Sequence, residues 1–424
     1  MAELVRLAEK IIVVVGVIYL TGSLDHVLPD AVGSLTQYGV YFLSFLLLLA
    51  RWRRTVSTAM RNPFLWILLT ITLLSFLWSM FPNDSLRSAI VAFQTAFFSL
   101  YVASCYSLKE QLRLIGLALG IVMVFTLFYT LAFPSQAIHT GEHQGAWRGI
   151  FIHKNILAEI CTYSATIFLF LRLTMRRFNS LAWGGLLLSI TLLVLADSKT
   201  ALMVFLTLFI LLQFYKGLRW ENHRSIIILN ITIFLFAGIS VLLVSNAATI
   251  LQSMGRDLTL TGRTEIWDGA IARIEQRPWL GYGRDAFWHP QSNFPAAIGE
   301  EIGANYVPPD AHNGFINLAC DLGMIGLSFF ILSYLLAFVR AYHRVRLTRS
   351  PEHLWPLVYL SFLLLYNLTE SSILSHNSIL WATYMMTALS LGPIPITSPM
   401  GDLEPPAPSK PALIPEGLTD YSQI

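Results

Sequence analysis

Charge is scarce in this chain. Of 424 residues only 12% are Asp, Glu, Lys or Arg, where soluble globular domains carry about 25%. That scarcity excludes an ordinary soluble domain. Cysteine is nearly absent as well. Cys105, Cys161 and Cys320 lie in or beside apolar runs, which excludes a disulfide framework. No HExxH, CxxC or GxSxG occurs, and no Walker or Rossmann glycine pattern, so the usual marks of a zincin, a zinc finger, a nucleophile elbow and a nucleotide site are missing. His139, His143, His153, His289 and His312 show no metal-ligand spacing. Internal periodicity, the mark of a repeat solenoid, is missing too.

What remains is apolar. Hydrophobic residues make up 55% of the chain, mean hydropathy is +0.60, and many runs approach the roughly 20 residues that a membrane-spanning helix needs. The sequence predicts an all-α polytopic integral membrane protein with about twelve transmembrane helices. Their centres fall near residues 18, 43, 71, 96, 122, 163, 188, 207, 234, 327, 361 and 384. The first is read as an uncleaved signal-anchor, because no small-x-small site follows its apolar core. Four segments result: 1–245 with helices one to nine, a loop at 246–312 containing an amphipathic helix, 313–392 with helices ten to twelve, and a Pro-rich disordered tail at 393–424.

Lys and Arg set the orientation. With the N-terminus inside, the inner loops, the N-terminal segment and the tail hold 19 of the 28 Lys and Arg residues, and the short outer loops TGSLDHVLPDAVGSLTQ, FPNDS and ESSILSH hold none. Both termini are therefore expected in the cytoplasm. Apart from Arg87, the remaining basic residues are Arg148, Lys154, Lys199, Arg256, Arg263, Arg273, Arg277 and Arg284, confined to three outer segments. Positive charge placed outside, against the usual bias, calls for a function.

The long outer loop has structure of its own. In TGRTEIWDGAIARIEQRPWLGYG, Trp267, Ile271 and Ile274 recur at i, i+4 and i+7, predicting an amphipathic helix that begins near Thr264 and breaks at Pro278. Its stripe is expected on the membrane surface or capping the bundle. Arg263, just ahead of the first turn, stands beside free backbone N–H groups, a natural anion site. Arg284 lies in the glycine-flanked turn LGYGRDAFW as a further candidate contact, although GxG alone does not separate a phosphate turn from an ordinary one. Arg256, Arg273 and Arg277 are read as solvated or as lipid-headgroup contacts. In VPPDAHNGFINLACDLGMIG a long span begins around Asn313, which pins His312 at the membrane surface. A neutral imidazole there can take a proton near pH 7, with a carboxylate such as Asp310 to fix its tautomer. Glu159, Asp197, Asp321 and Glu370 lie near outer helix ends. Intramembrane acids suggest function, but beside these arginines a supporting ion-pair role comes first. Lys199 caps the tight turn ADSKTAL.

WRGIFIHKN, ADSKTAL, GRTEIWDGAIARIEQRPWLGYG and DAHNGFINLACDLGMIG, in that order, resemble the O-antigen ligase and polymerase superfamily of bacterial envelope glycosyltransferases, and within it the ExoQ-type exopolysaccharide polymerases. The resemblance covers about residues 60 to 390. It implies a fold like the C-type glycosyltransferases and a site facing the periplasm from the inner membrane. It also implies transfer of a glycan from an undecaprenyl diphosphate carrier to an acceptor hydroxyl, with no metal or other cofactor. On this sequence it makes His312 the catalytic histidine and Arg148 and Arg263 the arginines that hold the diphosphate. Lys154 is a second contact, and Asp310, Asn313, Lys199 and Glu370 are supporting residues, as is His153. The expected partners are the lipid-linked glycan, the bilayer, and polysaccharide export or chain-length proteins, with no nucleic acid. Polymerase is preferred over ligase, whose acceptor would be lipid A-core. A transporter or flippase, the competing class, would show paired repeats and midplane charges. A non-enzymatic export scaffold would tolerate alanine at the outer arginines.

Overall fold

A computed structural model describes residues 2–24, 27–174, 179–217, 262–301, 307–348 and 350–393, with the isolated positions 234 and 238. The expected span near 234, the loop from 246 to 261 with Arg256, and the tail from 394 lie outside the described residues. The chain divides into two units, Met1–Gly392 and Pro393–Ile424, and the first holds every described helix.

Among the described residues the secondary structure is helical, with one isolated bridge between Ile138 and Trp147. Each of the other expected span centres falls within a helix. Among the described residues six helices are long and apolar enough to cross a membrane: Ala31–Ala50, Pro82–Cys105, Leu108–Ala132, Lys154–Thr174, Lys199–Lys216 and Gly314–Leu347. A bent pair, Trp52–Ala59 with Pro63–Leu77, would make a seventh, broken by 92°. Among the described residues, length and composition thus support fewer spans than the twelve expected for the whole chain, one of which lies outside those residues. Trp355–Tyr366 has 12 residues and at 1.5 Å per residue covers about 18 Å, short of the roughly 30 Å hydrocarbon core. Ala2–Leu20 carries Glu3, Arg6, Glu9 and Lys10 within its first half.

Local chemistry sets the boundaries. Asn62 accepts from Leu65 N–H ahead of Pro63, Ser107 and Glu110 form a reciprocal capping box, and Ser378 accepts from Trp381 N–H. Each satisfies backbone donors that a helix start leaves open. Buried apolar side chains from Lys154–Thr174, Trp355–Tyr366 and Ile379–Ser390 form the centre of the bundle, with Tyr163 stacked on Phe362.

Gly314–Leu347 is not one straight helix. Gly323 has φ of +63° and interrupts it. Into this break the segment 278–283 docks backbone to backbone: Tyr282 N–H donates to Cys320 O (2.9 Å), Gly283 N–H to Asp321 O (2.9 Å), and Met324 N–H to Pro278 O (2.7 Å). Gly281 and Gly283, both at positive φ, permit this approach. The glycines of LGYG therefore serve chain docking.

The helix of the long loop runs Gly262–Ile274, so Arg263 sits within its first turn rather than ahead of it. Its buried face is also rotated from the expected stripe. Ile266 is 3% exposed and Ala270 fully buried, whereas Ile271 is 44% exposed. Ile266 and Ala270 pack on Tyr282, Phe287 and Ile298, a small core made mostly by the loop itself.

Candidate active site

Three segments meet at Glu370. Its position follows from Asn367, which is buried at the end of Trp355–Tyr366. Asn367 Oδ1 accepts from Ser372 and Ile373 N–H (2.9 and 3.1 Å), and its Nδ2 donates to Leu363 O (2.8 Å). This ties down the turn that carries Glu370. Glu370 Oε2 lies 3.2 Å from His312 Nδ1. Glu370 Oε1 accepts from Arg263 Nη2 at 3.2 Å and from Asn155 Nδ2 at 3.5 Å. Arg263 Nη1 also donates to Thr369 O at 2.5 Å.

His312 is held by its backbone as well. It has φ of +46°, a region that non-glycine residues seldom adopt. Its N–H donates to Asp310 Oδ1 at 2.6 Å, and Ser371 Oγ donates to the same oxygen at 3.2 Å. Asn313 then caps the long helix, accepting from Phe315 and Ile316 N–H at 3.0 and 3.2 Å. Asp310 lies 3.7 Å from His312 Nδ1, farther than Glu370, so Glu370 is the closer carboxylate to fix the tautomer. Burial works against the charged imidazole. The Glu370 hydrogen bond and the negative charges of Asp310 and Glu370 outweigh burial and Arg263, and raise its pKa. The Glu370 carboxyl shows the converse: burial pushes its pKa up, but His312 and Arg263 hold it below the usual value.

Beyond Asn155 lies a ledge of basic side chains. Lys154 Nζ donates to Asp197 O at 3.3 Å. Arg148 donates through Nε to Gln136 O (2.8 Å) and through Nη1 to Ile152 O (3.3 Å). These contacts are neutral carbonyls, so both charges stay uncompensated by them. His139, His143 and His153 face one another with ring centroids 5.1–5.8 Å apart. Burial and neighbouring positive groups lower the pKa of His139 and His153. Lys154 N–H donates to His139 Nε2 and Asn155 N–H to His153 Nδ1, both at 3.2 Å, which fixes the neutral tautomers. Lys199, exposed, opens the next helix.

Arg284 does not join this ledge. It is 3% exposed, with Nη1 2.5 Å from Asp321 Oδ2 and 3.0 Å from Asp285 Oδ1, and Nη2 donating to Leu374 O at 2.5 Å. Two carboxylates and a carbonyl occupy its guanidinium, so the expected diphosphate contact gives way to a buried ion-pair network. Arg273 pairs with Glu301 and Arg277 lies over the Tyr282 ring at 5.1 Å, so neither is simply solvated. Among the described residues no group of three His, Cys, Asp or Glu could hold a metal ion.

A histidine backed by a carboxylate, beside guanidinium and ammonium groups at one end of an apolar bundle, suits proton removal next to a bound anion. Residues 184–331 match the model of the O-antigen ligase family. That stretch of the chain is similar to the O-antigen ligase family. It is also 24% identical over 316 residues to the exopolysaccharide production protein ExoQ of Rhizobium meliloti (strain 1021), covering 72% of this chain and 71% of that protein. The likeness read from the ordered motifs is thus borne out. The matched stretch contains Lys199, Arg263, Arg284, Asp310, His312 and Asn313; Arg148, Lys154, Asn155 and Glu370 reach the site from outside it. Asn155 and the His139–His143 pair were missed in the sequence. The wording HKN held a signal for Asn155, whereas nothing in the spacing of the histidines foretold their convergence.

Proposed function

We propose that this protein is a glycosyltransferase of the bacterial inner membrane. It transfers a glycan from an undecaprenyl diphosphate-linked donor to an acceptor hydroxyl and polymerises exopolysaccharide or O-antigen repeat units on the periplasmic side. The observation that carries this reading is the His312–Glu370 pair, joined through Asn155 to the ledge of Arg148 and Lys154.

In this mechanism Glu370 accepts the Nδ1 proton of His312 in a hydrogen bond and leaves Nε2 free as a base. Nε2 takes the acceptor hydroxyl proton as that oxygen bonds to C1 of the donor sugar. The bond from C1 to the diphosphate oxygen breaks, and its electron pair leaves with the lipid diphosphate. Attack from the opposite face inverts C1. Arg148 and Lys154, with Arg263 on the far side of Glu370's carboxylate contacts, stabilise the negative charge that grows on the leaving group, where preorganised donors act most strongly.

The O-antigen ligase match supports a second reading, transfer of a finished glycan to lipid A-core. Reconstitution of the purified protein with lipid-linked repeat units, with and without lipid A-core, separates the two. A ladder formed without lipid A-core is the expected result. Transfer only onto lipid A-core makes the protein a ligase, and donor left unconsumed in both arms overturns the glycosyltransferase reading.

A further inference from the structure

Two cavities share Lys109 as a wall, at the end of the bundle opposite Glu370. One is a groove of 1240 Å³ between Leu108–Ala132, Lys154–Thr174 and Asn179–Leu195. The other is a polar pocket of 440 Å³ lined by Arg61, Arg344, Ser390 and the turn that starts Leu108–Ala132.

The groove follows from spacing in the sequence. Lys109, Arg113, Leu117, Ile121, Val124 and Phe128 line it at intervals of three or four residues, which is one stripe of a helix. From Lys109 to Phe128 the stripe runs about 28 Å, close to the roughly 30 Å of a hydrocarbon core. Facing it on Asn179–Leu195, Gly184 leaves a gap, since a Cβ there would meet nothing within 4 Å. Leu117, Phe128 and Leu181 are exposed in the groove, so the chain does not cover its own apolar wall. Among the described residues that line it, the only charges are Lys109 and Arg113. Both stand at the same end.

The pocket at that end is cationic. Arg61, Lys109 and Arg344 line it against a single carboxylate, Glu352. Arg61 Nη1 donates to Leu389 O and Ser390 O at 3.1 and 3.4 Å, and Arg344 Nη1 to the same Ser390 O at 3.4 Å. These acceptors are neutral carbonyls, so both charges stay uncompensated by them. Two guanidinium groups converging on one oxygen repel each other, and a phosphate placed beside them relieves that repulsion with charge-assisted hydrogen bonds. The pocket has the volume of a small-molecule site, whereas the groove exceeds the roughly 300–1,000 Å³ of such sites.

A phosphate beside a long apolar tail is the chemistry of one molecule. We propose that the two cavities together bind an anionic phospholipid, its phosphate among Arg61, Lys109 and Arg344 and its acyl chains along the groove. Basic pockets between membrane helices bind the head groups of anionic lipids. A free phosphate would fill the pocket and leave the groove bare. A polyprenyl carrier with its diphosphate on the Arg148–Lys154 ledge would enter from the other end and leave these cations unmet. The assignment does not rest on the glycosyltransferase reading.

The test uses the full-length protein, purified in detergent and stripped of lipid. It is titrated with dioleoyl-phosphatidylglycerol, dioleoyl-phosphatidylcholine, inorganic phosphate and undecaprenyl diphosphate, and bound molecules are counted by native mass spectrometry. We expect one phosphatidylglycerol to bind at least tenfold more tightly than phosphatidylcholine. Lys109→Gln should cut that preference about fivefold, the scale of one basic residue at an anionic lipid surface, and Lys109→Arg should keep it. Gly184→Leu lays a side chain into the groove while improving helix propensity, and should weaken both phospholipids about tenfold. Equal wild-type affinities for the two phospholipids, or a full preference in Lys109→Gln, overturn the proposal. If inorganic phosphate displaces phosphatidylglycerol and Gly184→Leu changes nothing, the pocket is a free-anion site and the proposal fails. Loss of undecaprenyl diphosphate binding in Gly184→Leu, with phosphatidylglycerol retained, gives the groove to the carrier and overturns it as well. Should Gly184→Leu not fold, Lys109→Gln decides alone.

Discussion

His312 adopts a left-handed backbone conformation that costs a non-glycine residue about 1–2 kcal/mol, and the Asp310 and Asn313 side chains on either side hold the turn. Asparagine tolerates that conformation better than alanine, so His312→Asn removes the base with the least disturbance. Transfer should fall by about 10²–10⁴, the usual contribution of a general base, with the thermal unfolding midpoint unchanged; near-normal polymer output would remove His312 from the mechanism. A base must be neutral to act. The His312 pKa is raised from 6.5 by Glu370 and Asp310 against the opposing effect of burial, so kcat/KM should decline as pH falls through a value above 6.5. Glu370→Gln removes the charge that favours the imidazolium. Its acid limb should move to lower pH, with a reduced rate on the plateau. A profile that keeps its wild-type limb in this variant would show that Glu370 is not the partner of the titrating group.

At the level of elements, the break at Gly323 is the joint between bundle and loop. A Cβ at Gly323 would run into the Trp279 carbonyl, and the φ of +63° adds strain. Gly323→Ala should lower stability by at least the ~1–2 kcal/mol of left-handed strain, read as a drop in the unfolding midpoint. Because segment 278–283 leads directly to Arg284 and Asp285, activity should fall as well; an unchanged midpoint would show that the docking contributes little. Only part of this was legible. DAHNG announced the histidine and the start of the long helix around Asn313, because helix starts are marked by local chemistry, but that Asn313 itself is the cap was shown only by the structure. The kink was hidden, because it exists only through backbone bonds to a segment some forty residues earlier. The loop helix was found but its buried face was misjudged. Ala270 is too small to weigh in an apolar count, and Trp267 turns its Nε1 to the Ala311 carbonyl (2.8 Å). Glu370 was visible as a costly acid near a helix end, but its place between His312, Arg263 and Asn155 required three distant segments to be folded together. Among the described residues fewer helices pass on length than the sequence led us to expect, because hydropathy does not separate a short buried helix such as Trp355–Tyr366 from a full crossing.

Charge is distributed unequally over the whole molecule. The end opposite the candidate site gathers Arg51 with Glu9, and Arg61, Arg340 and Arg344 around the last carbonyls of Ile379–Ser390. Guanidinium groups at a helix C-terminus complement its dipole. Cations at this end also fit the Lys/Arg bias that retains positive segments in the cytoplasm. The site end carries fewer cations, and those beside Glu370 and Asn155 are placed by specific contacts. The two ends should therefore face opposite compartments, with His312 in the periplasm. Single cysteines introduced at Gln144, exposed on the loop beside His143, and at Arg53, exposed at the opposite end, report on this in a background lacking Cys105, Cys161 and Cys320. A membrane-impermeant maleimide should label Gln144→Cys in intact inner-membrane spheroplasts and Arg53→Cys only after permeabilisation. The reverse pattern would place the site in the cytoplasm, where a donor displayed on the outer leaflet could not reach it. The basic ledge would then need a different anion, and the transfer reaction would have to be abandoned even if His312 proved essential.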